Sequence, residues 1–182
     1  MGITNPSVPL EGTVGGDSLP AGTDPAPDPE IGARALVLTD VYVRLLAPPA
    51  PLKQSGEAKH GRDVFAQVGC TGCHIPTLTT GDNPIAALRH KQVAAYTDLL
   101  LHDMGPELGA GDICFGLATP SEFRTEPLMG LRFVTHFMHN GRATTPEQAI
   151  EMHAGEGARA RDMFAALAPA DRAALLAFLK TL

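Results

Sequence analysis

Cys70-Thr71-Gly72-Cys73-His74 is the stretch that decides how this chain is read. Two thiols separated by two residues, with an imidazole directly after the second, form the pattern that attaches a c-type haem. Each thiol can add to one vinyl group of the porphyrin, and the histidine beside the second thioether then falls under the iron as its axial ligand. Two other chemistries use a CxxC pair. Zinc wants four ligands, and Cys114 is the one further cysteine in the chain. A redox dithiol normally sits in a βαβ setting, and no such alternation surrounds these residues. Haem attachment is therefore the preferred reading, through Cys70 and Cys73 with His74 on the iron. Pro76 lies two residues beyond His74, and its carbonyl is expected to accept the ring N–H.

Outward from the motif, Gly69 ends a helix predicted over residues 56–68. Gly61, Phe65 and Val68 share one of its faces. A second helix is predicted from Pro169, a favoured first-turn residue, with Asp171 in the positive first turn. Leu175, Phe178, Leu179 and Leu182 follow the i, i+3, i+4, i+7 rule. The bare glycine at 61 would let these two helices approach closely. Crossed terminal helices of that kind frame cytochrome c domains, which is an analogy at the level of fold. Shorter helices are expected over residues 84–101, capped by Asn83, and over 157–167. Another should start at Pro146, where Thr145 and Gln148 form a capping box. No alternating segment is long enough for a sheet. The expectation is an all-α, cytochrome c-like domain over residues 31–182, with long loops around one haem c, since no second CxxCH occurs.

Residues 1–30 carry Pro6, Pro9, Pro20, Pro25, Pro27 and Pro29 among several glycines, a composition that predicts an extended arm without regular structure. A helix over 31–46 should follow, with Leu38, Tyr42 and Leu45 on one face, and Pro48, Pro49 and Pro51 end it. Fourteen basic against twenty acidic residues give a net charge of −6. That balance argues against nucleic acid or anionic lipid as partners and is compatible with a redox protein partner. No run approaches the roughly 18 apolar residues of a membrane span, and the residues after Met1 do not form a secretory signal. Haem c is attached outside the cytoplasm, so the expected location is periplasmic, with a removed signal or a longer parent chain. Cys114 is expected to be an idle thiol. Oligomeric state stays open.

The iron's other axial position could be taken by Met104, Met129, Met138, His136, His139, Met152 or His153. His153 closes the short helix from Pro146, with Ala149 and Ile150 one turn behind it and Gly155 and Gly157 after it. Met104 lies in the loop-like run Leu101-His102-Asp103-Met104-Gly105-Pro106. Spacing alone leaves both open.

Further motifs carry a resemblance. LLLHDMGPEL, SEFRTEPLMGL, HNGRATTPEQAIEMHAGEG and the closing ALLAFLKTL together resemble the C-terminal haem domain of the bacterial di-haem oxidoreductases. Some of these are labelled thiol oxidoreductases, and they are relatives of the di-haem cytochrome c peroxidases and of the di-haem enzyme of methylamine utilisation. In those peroxidases the C-terminal haem takes a methionine four residues after an alanine of the matching helix, and the methylamine enzyme has tyrosine there. Counted from Ala149, the same place here is His153. The resemblance thus implies a bis-histidine haem held by His74 and His153, with Met104 as runner-up. It places His139, in His139-Asn140-Gly141, on the distal side. It makes Arg124 and Arg142 candidates to pair with haem propionates. It also implies that the family's N-terminal haem domain is missing, and that Met129 stands where relatives usually have tryptophan.

Three functions follow as expectations. The first is a mono-haem c-type electron carrier with both axial positions filled. The second is a peroxidase or thiol oxidoreductase in which His153 detaches and His139 or Glu156 moves protons, alone or with a partner haem domain. The third is a haem or gas sensor module or half of a two-chain assembly.

Overall fold

The computed structural model describes residues 3–10, 13–14, 17–18, 20, 22, 24–109 and 117–182. These fall into two units: one holds the described residues up to Ala47 together with Leu117, the other the remainder. Cys114, expected to be idle, lies outside the described residues.

The first unit is more ordered than its proline content predicts. Two short strands, β1 (Thr13–Val14) and β2 (Asp17–Ser18), pair antiparallel. Thr4 is buried and gathers the far end of the arm. Its N–H donates to the Glu30 carboxylate at 2.8 Å, and its hydroxyl donates to Asp28 and accepts the Glu30 N–H. A buried hydroxyl with partners on both sides can hold a segment that has no helix or sheet. Helix α1 (Ala33–Leu45) follows within the span expected from sequence.

In the second unit, α2 (Gly56–Gln67) begins at Ser55, whose hydroxyl accepts the Ala58 N–H at 3.1 Å. It ends where Gly69 turns left-handed at φ +93°. The chain's last helix, α6 (Pro169–Leu179), crosses it at Gly61, where a Cβ would lie 1.8 Å from the Ala174 carbonyl oxygen. The close crossing expected from the bare glycine is thus present. Around it pack Val64, Phe65, Val68, Tyr96, Phe164, Leu175, Phe178, Leu179 and Leu182. Phe65, Tyr96 and Phe178 meet edge to face at 5.4–6.2 Å between ring centres.

Between the crossed helices the chain departs from the expected all-α pattern. Strands β3 (Leu78–Thr79) and β4 (Gln92–Val93) pair antiparallel, as do β5 (Leu101–Asp103) and β6 (Glu122–Arg124). Residues 84–101 do not form the expected helix. Asn83 does bond the Ile85 N–H at 2.9 Å, but only a single tight turn, Ala86–Leu88, follows. His90, Tyr96 and Leu99 then take positive φ values of 49°, 52° and 62°, which no helix tolerates. Thr97, fully buried, holds this loop in place: its hydroxyl donates to the Thr125 carbonyl at 2.7 Å and accepts the Leu99 N–H at 2.9 Å.

Short helices complete the unit: α3 (Pro106–Gly109), α4 (Pro146–Glu151) and α5 (Ala158–Ala165). Thr145 caps α4 by accepting the Gln148 N–H at 3.1 Å. The reciprocal Gln148 bond goes one residue further back than a capping box requires, to the Thr144 N–H and hydroxyl.

Candidate haem centre

Cys70 opens a tight turn after Gly69, and Cys73 closes it with an N–H donated to the Cys70 carbonyl. The His74 N–H also reaches that carbonyl, at 2.9 Å. The turn therefore sets both thiols and the imidazole from one local fold. Burial pushes the Cys70 thiol up to about 11. Cys73 is raised too, by burial first and then by the carboxylates of Asp98 and Glu156. Both side chains therefore stay as thiols near neutral pH.

The His74 ring donates from Nδ1 to the Tyr96 carbonyl at 2.9 Å, not to Pro76. The left-handed bend at Tyr96 aims that carbonyl back at the motif, a contact across 22 residues that local spacing does not reveal. The His153 ring is held in the same manner, with Nδ1 bonded to the Ala149 carbonyl of α4 at 2.7 Å. A carbonyl only accepts, so each Nδ1 carries the hydrogen; the tautomers are assigned from these partners. Burial lowers the pKa of both rings, and His153 itself adds to the lowering at His74. Two neutral imidazoles thus share one electrostatic neighbourhood, each with Nε2 left as a lone-pair donor. That is the donor set an iron porphyrin needs on its two faces. Together with the thiols it fits haem c: Cys70 and Cys73 would carry the thioethers, and His74 and His153 the iron.

Met104 shares the place. A Cβ on Gly157 would meet the Met104 Cε at 3.1 Å and the His153 Cδ2 at 3.2 Å. The two candidates for the sixth position therefore lie side by side, and only His153 has its ring oriented by a backbone acceptor. Arg161 further fixes this histidine, with Nη1 donating to its carbonyl at 2.9 Å.

Other candidates lie differently. His139 stacks on Phe123 with ring centres 4.4 Å apart. Arg124 pairs with Glu126 at 3.2 Å. Arg142 is exposed, and its backbone N–H meets the Asn140 side chain at 3.3 Å. Glu156, suggested as a proton carrier, spends both oxygens on other groups: Oε2 on His102 at 2.8 Å and Oε1 on the Asp103 N–H at 3.0 Å. These bonds hold its carboxyl below the usual range, so it stays an anion.

Sequence reasoning missed the group centred on His102. Its Nε2 meets Asp98 at 2.8 Å while Nδ1 meets Glu156, and Cys73 Sγ lies 3.8 Å from the same Nδ1. Hydrogen bonds to both carboxylates, Glu156 first, raise the His102 pKa and favour the imidazolium. Burial alone would raise Asp98, but the Leu100 N–H, His102 and Thr125 hold it down at about 2. The one sequence signal was the spacing of Asp98 and His102, which looks like an ordinary i, i+4 helix pair.

The CxxCH turn with two oriented imidazoles fits the class of haem c-binding domains. The chain belongs to the di-haem oxidoreductase family: a family model described as "Di-haem oxidoreductase, putative peroxidase" matches residues 1–182. A curated relative, the cytochrome-c peroxidase IdrP2 of Denitromonas iodatirespirans, is 27% identical over 181 aligned residues, covering 83% of this chain and 49% of the relative. The chain thus spans about half the length of that relative. No solved structure matches the chain.

Proposed function

We propose that this chain is the electron-relaying haem c domain of a peroxidase-type di-haem oxidoreductase. The observation that carries the proposal is the pair of neutral imidazoles, His74 and His153, each with Nδ1 tied to a main-chain carbonyl and Nε2 free. When bound, haem c supplies one-electron chemistry at its iron. The residues here would hold that iron from both sides, leaving no position for substrate. Family membership and the peroxidase relative favour a reductive oxidoreductase over an isolated carrier. Peroxide would then be met at a second haem, on a partner domain, while this domain passes electrons to it. The engagement of both Glu156 oxygens argues against peroxide chemistry at His153's own position. A periplasmic location and a redox protein as electron donor belong to the same proposal. Among the described residues no helix is long and apolar enough to cross a membrane.

Spectra of protein matured with haem c machinery test it. The wild type should be low-spin in the ferric state. His153→Ala should turn high-spin and Met104→Ala should not. Unchanged spectra in His153→Ala, with a change in Met104→Ala, would overturn the ligand assignment.

A further inference from the structure

We infer that Glu156 and His102 form a latch that keeps the His153 segment seated against strand β5, making both of them positioning residues for the sixth ligand. This rests on the reading of His153 as that ligand. The segment Ala154–Gly157 follows His153 directly and meets β5 and the turn after it through Ala154, Gly155 and Glu156. Gly155 turns left-handed at φ +50°, and a Cβ there would lie 2.1 Å from the Asp103 carbonyl oxygen, so main chain rests directly on main chain. Gly105, at φ +87°, offers the matching bare surface to Ala154, whose Cβ would lie 3.4 Å from a Cβ at 105.

Glu156 closes this contact with two bonds. One goes to the backbone of β5 at Asp103 and one to the His102 ring. His102 cannot swing away with Glu156, because Asp98 holds its opposite nitrogen, and the Leu100 N–H pins Asp98 in turn at 2.9 Å. The strength of charge-assisted hydrogen bonds suits such a role. A ligand three residues upstream of the latch can leave its position by breaking its ring bond to the Ala149 carbonyl and rotating away, or by lifting this segment, and the latch opposes the second route.

The test uses the haem-loaded protein and the rate at which cyanide binds the ferric form, since cyanide must displace the sixth ligand. Glu156→Ala should bind cyanide at least about tenfold faster than wild type. Glu156→Gln should be intermediate: its amide oxygen still accepts the Asp103 N–H, but its NH2 can only donate, so it bonds Nδ1 only once the ring has given up the hydrogen there, a weaker, neutral contact. Glu156 is exposed, so both variants should keep the wild-type thermal midpoint within a few degrees, which separates positioning from folding. His153→Ala serves as the reference for an open site. If it is high-spin while Glu156→Ala binds cyanide at the wild-type rate, the latch is refuted and the ligand assignment stands. If His153→Ala stays low-spin, the ligand assignment fails and the latch fails with it.

Discussion

Replacing Gly61 with alanine tests the central helix crossing. Two effects oppose each other. In an exposed helix interior the change is favourable by about 1 kcal/mol, because alanine restricts the unfolded chain and suits the helix. Here the new methyl would lie 1.8 Å from the Ala174 carbonyl oxygen, 2.3 Å from its carbon and 2.9 Å from the Leu175 nitrogen. All three are backbone atoms, so no side chain can rotate away. Helix α6 would have to retreat by about 1.7 Å to restore a normal contact of about 3.5 Å. That retreat would open the packing of Phe65 on Phe178, whose rings sit 5.4 Å apart. Overpacking of this kind costs about 1–3 kcal/mol and sometimes more. With rigid backbone on one side, the upper figure of about 3 kcal/mol applies, and after the helix gain of about 1 kcal/mol the expected net loss is about 2 kcal/mol. For a chain of this size that corresponds to a fall of roughly 4–8 °C in the midpoint. Thermal and urea unfolding of the haem-loaded protein measure it. A Gly61→Ala protein as stable as wild type, or more stable, would refute the claim that the glycine is there to admit the crossing.

Thr97→Val should cost about 2 kcal/mol, because it strands the buried Thr125 carbonyl and Leu99 N–H that the hydroxyl now serves; urea titration reads the change. Asp98 has a folded pKa of about 2 against an ordinary 3.8. Its stabilising contribution is therefore complete above pH 4 and lost as pH falls through 2. Asp98→Asn should flatten that part of an acid-unfolding curve, and an unchanged acid limb would contradict the hydrogen-bonded arrangement. His102 acts in the opposite sense: its raised pKa gives stability that is complete below about 6.5 and lost as pH rises through the folded value. Stability measured between pH 6 and 9 should decline in wild type and less so in His102→Gln.

The parts of this molecule that could be read from sequence are those in which cause and effect lie within one turn. Cys70, Cys73 and His74 act through their own spacing, Thr145 caps the helix it precedes, and Gly61 states by its lack of a side chain that something comes close. The parts that could not be read depend on distant partners. Tyr96 supplies an acceptor to His74 through a backbone bend that tyrosine rarely adopts, and nothing in the local pattern marks it. Residues 84–101 invite a helix because Asn83 stands as a cap ahead of Pro84, yet the buried hydroxyl of Thr97 and three left-handed residues fix a loop instead. His102 and Glu156 lie 54 positions apart, and only the tertiary fold brings them together. The arm's order likewise depends on Thr4 finding Glu30, 26 residues away.

The acceptors that orient the imidazoles of His74 and His153 are both main-chain oxygens, belonging to Tyr96 and Ala149. A carboxylate in that role can vanish with one codon, whereas a peptide carbonyl is present whatever side chain the codon specifies. Inherited substitutions at 96 or 149 can therefore alter packing, but they cannot delete the anchor, and the ring tautomers outlast changes in the residues that supply it.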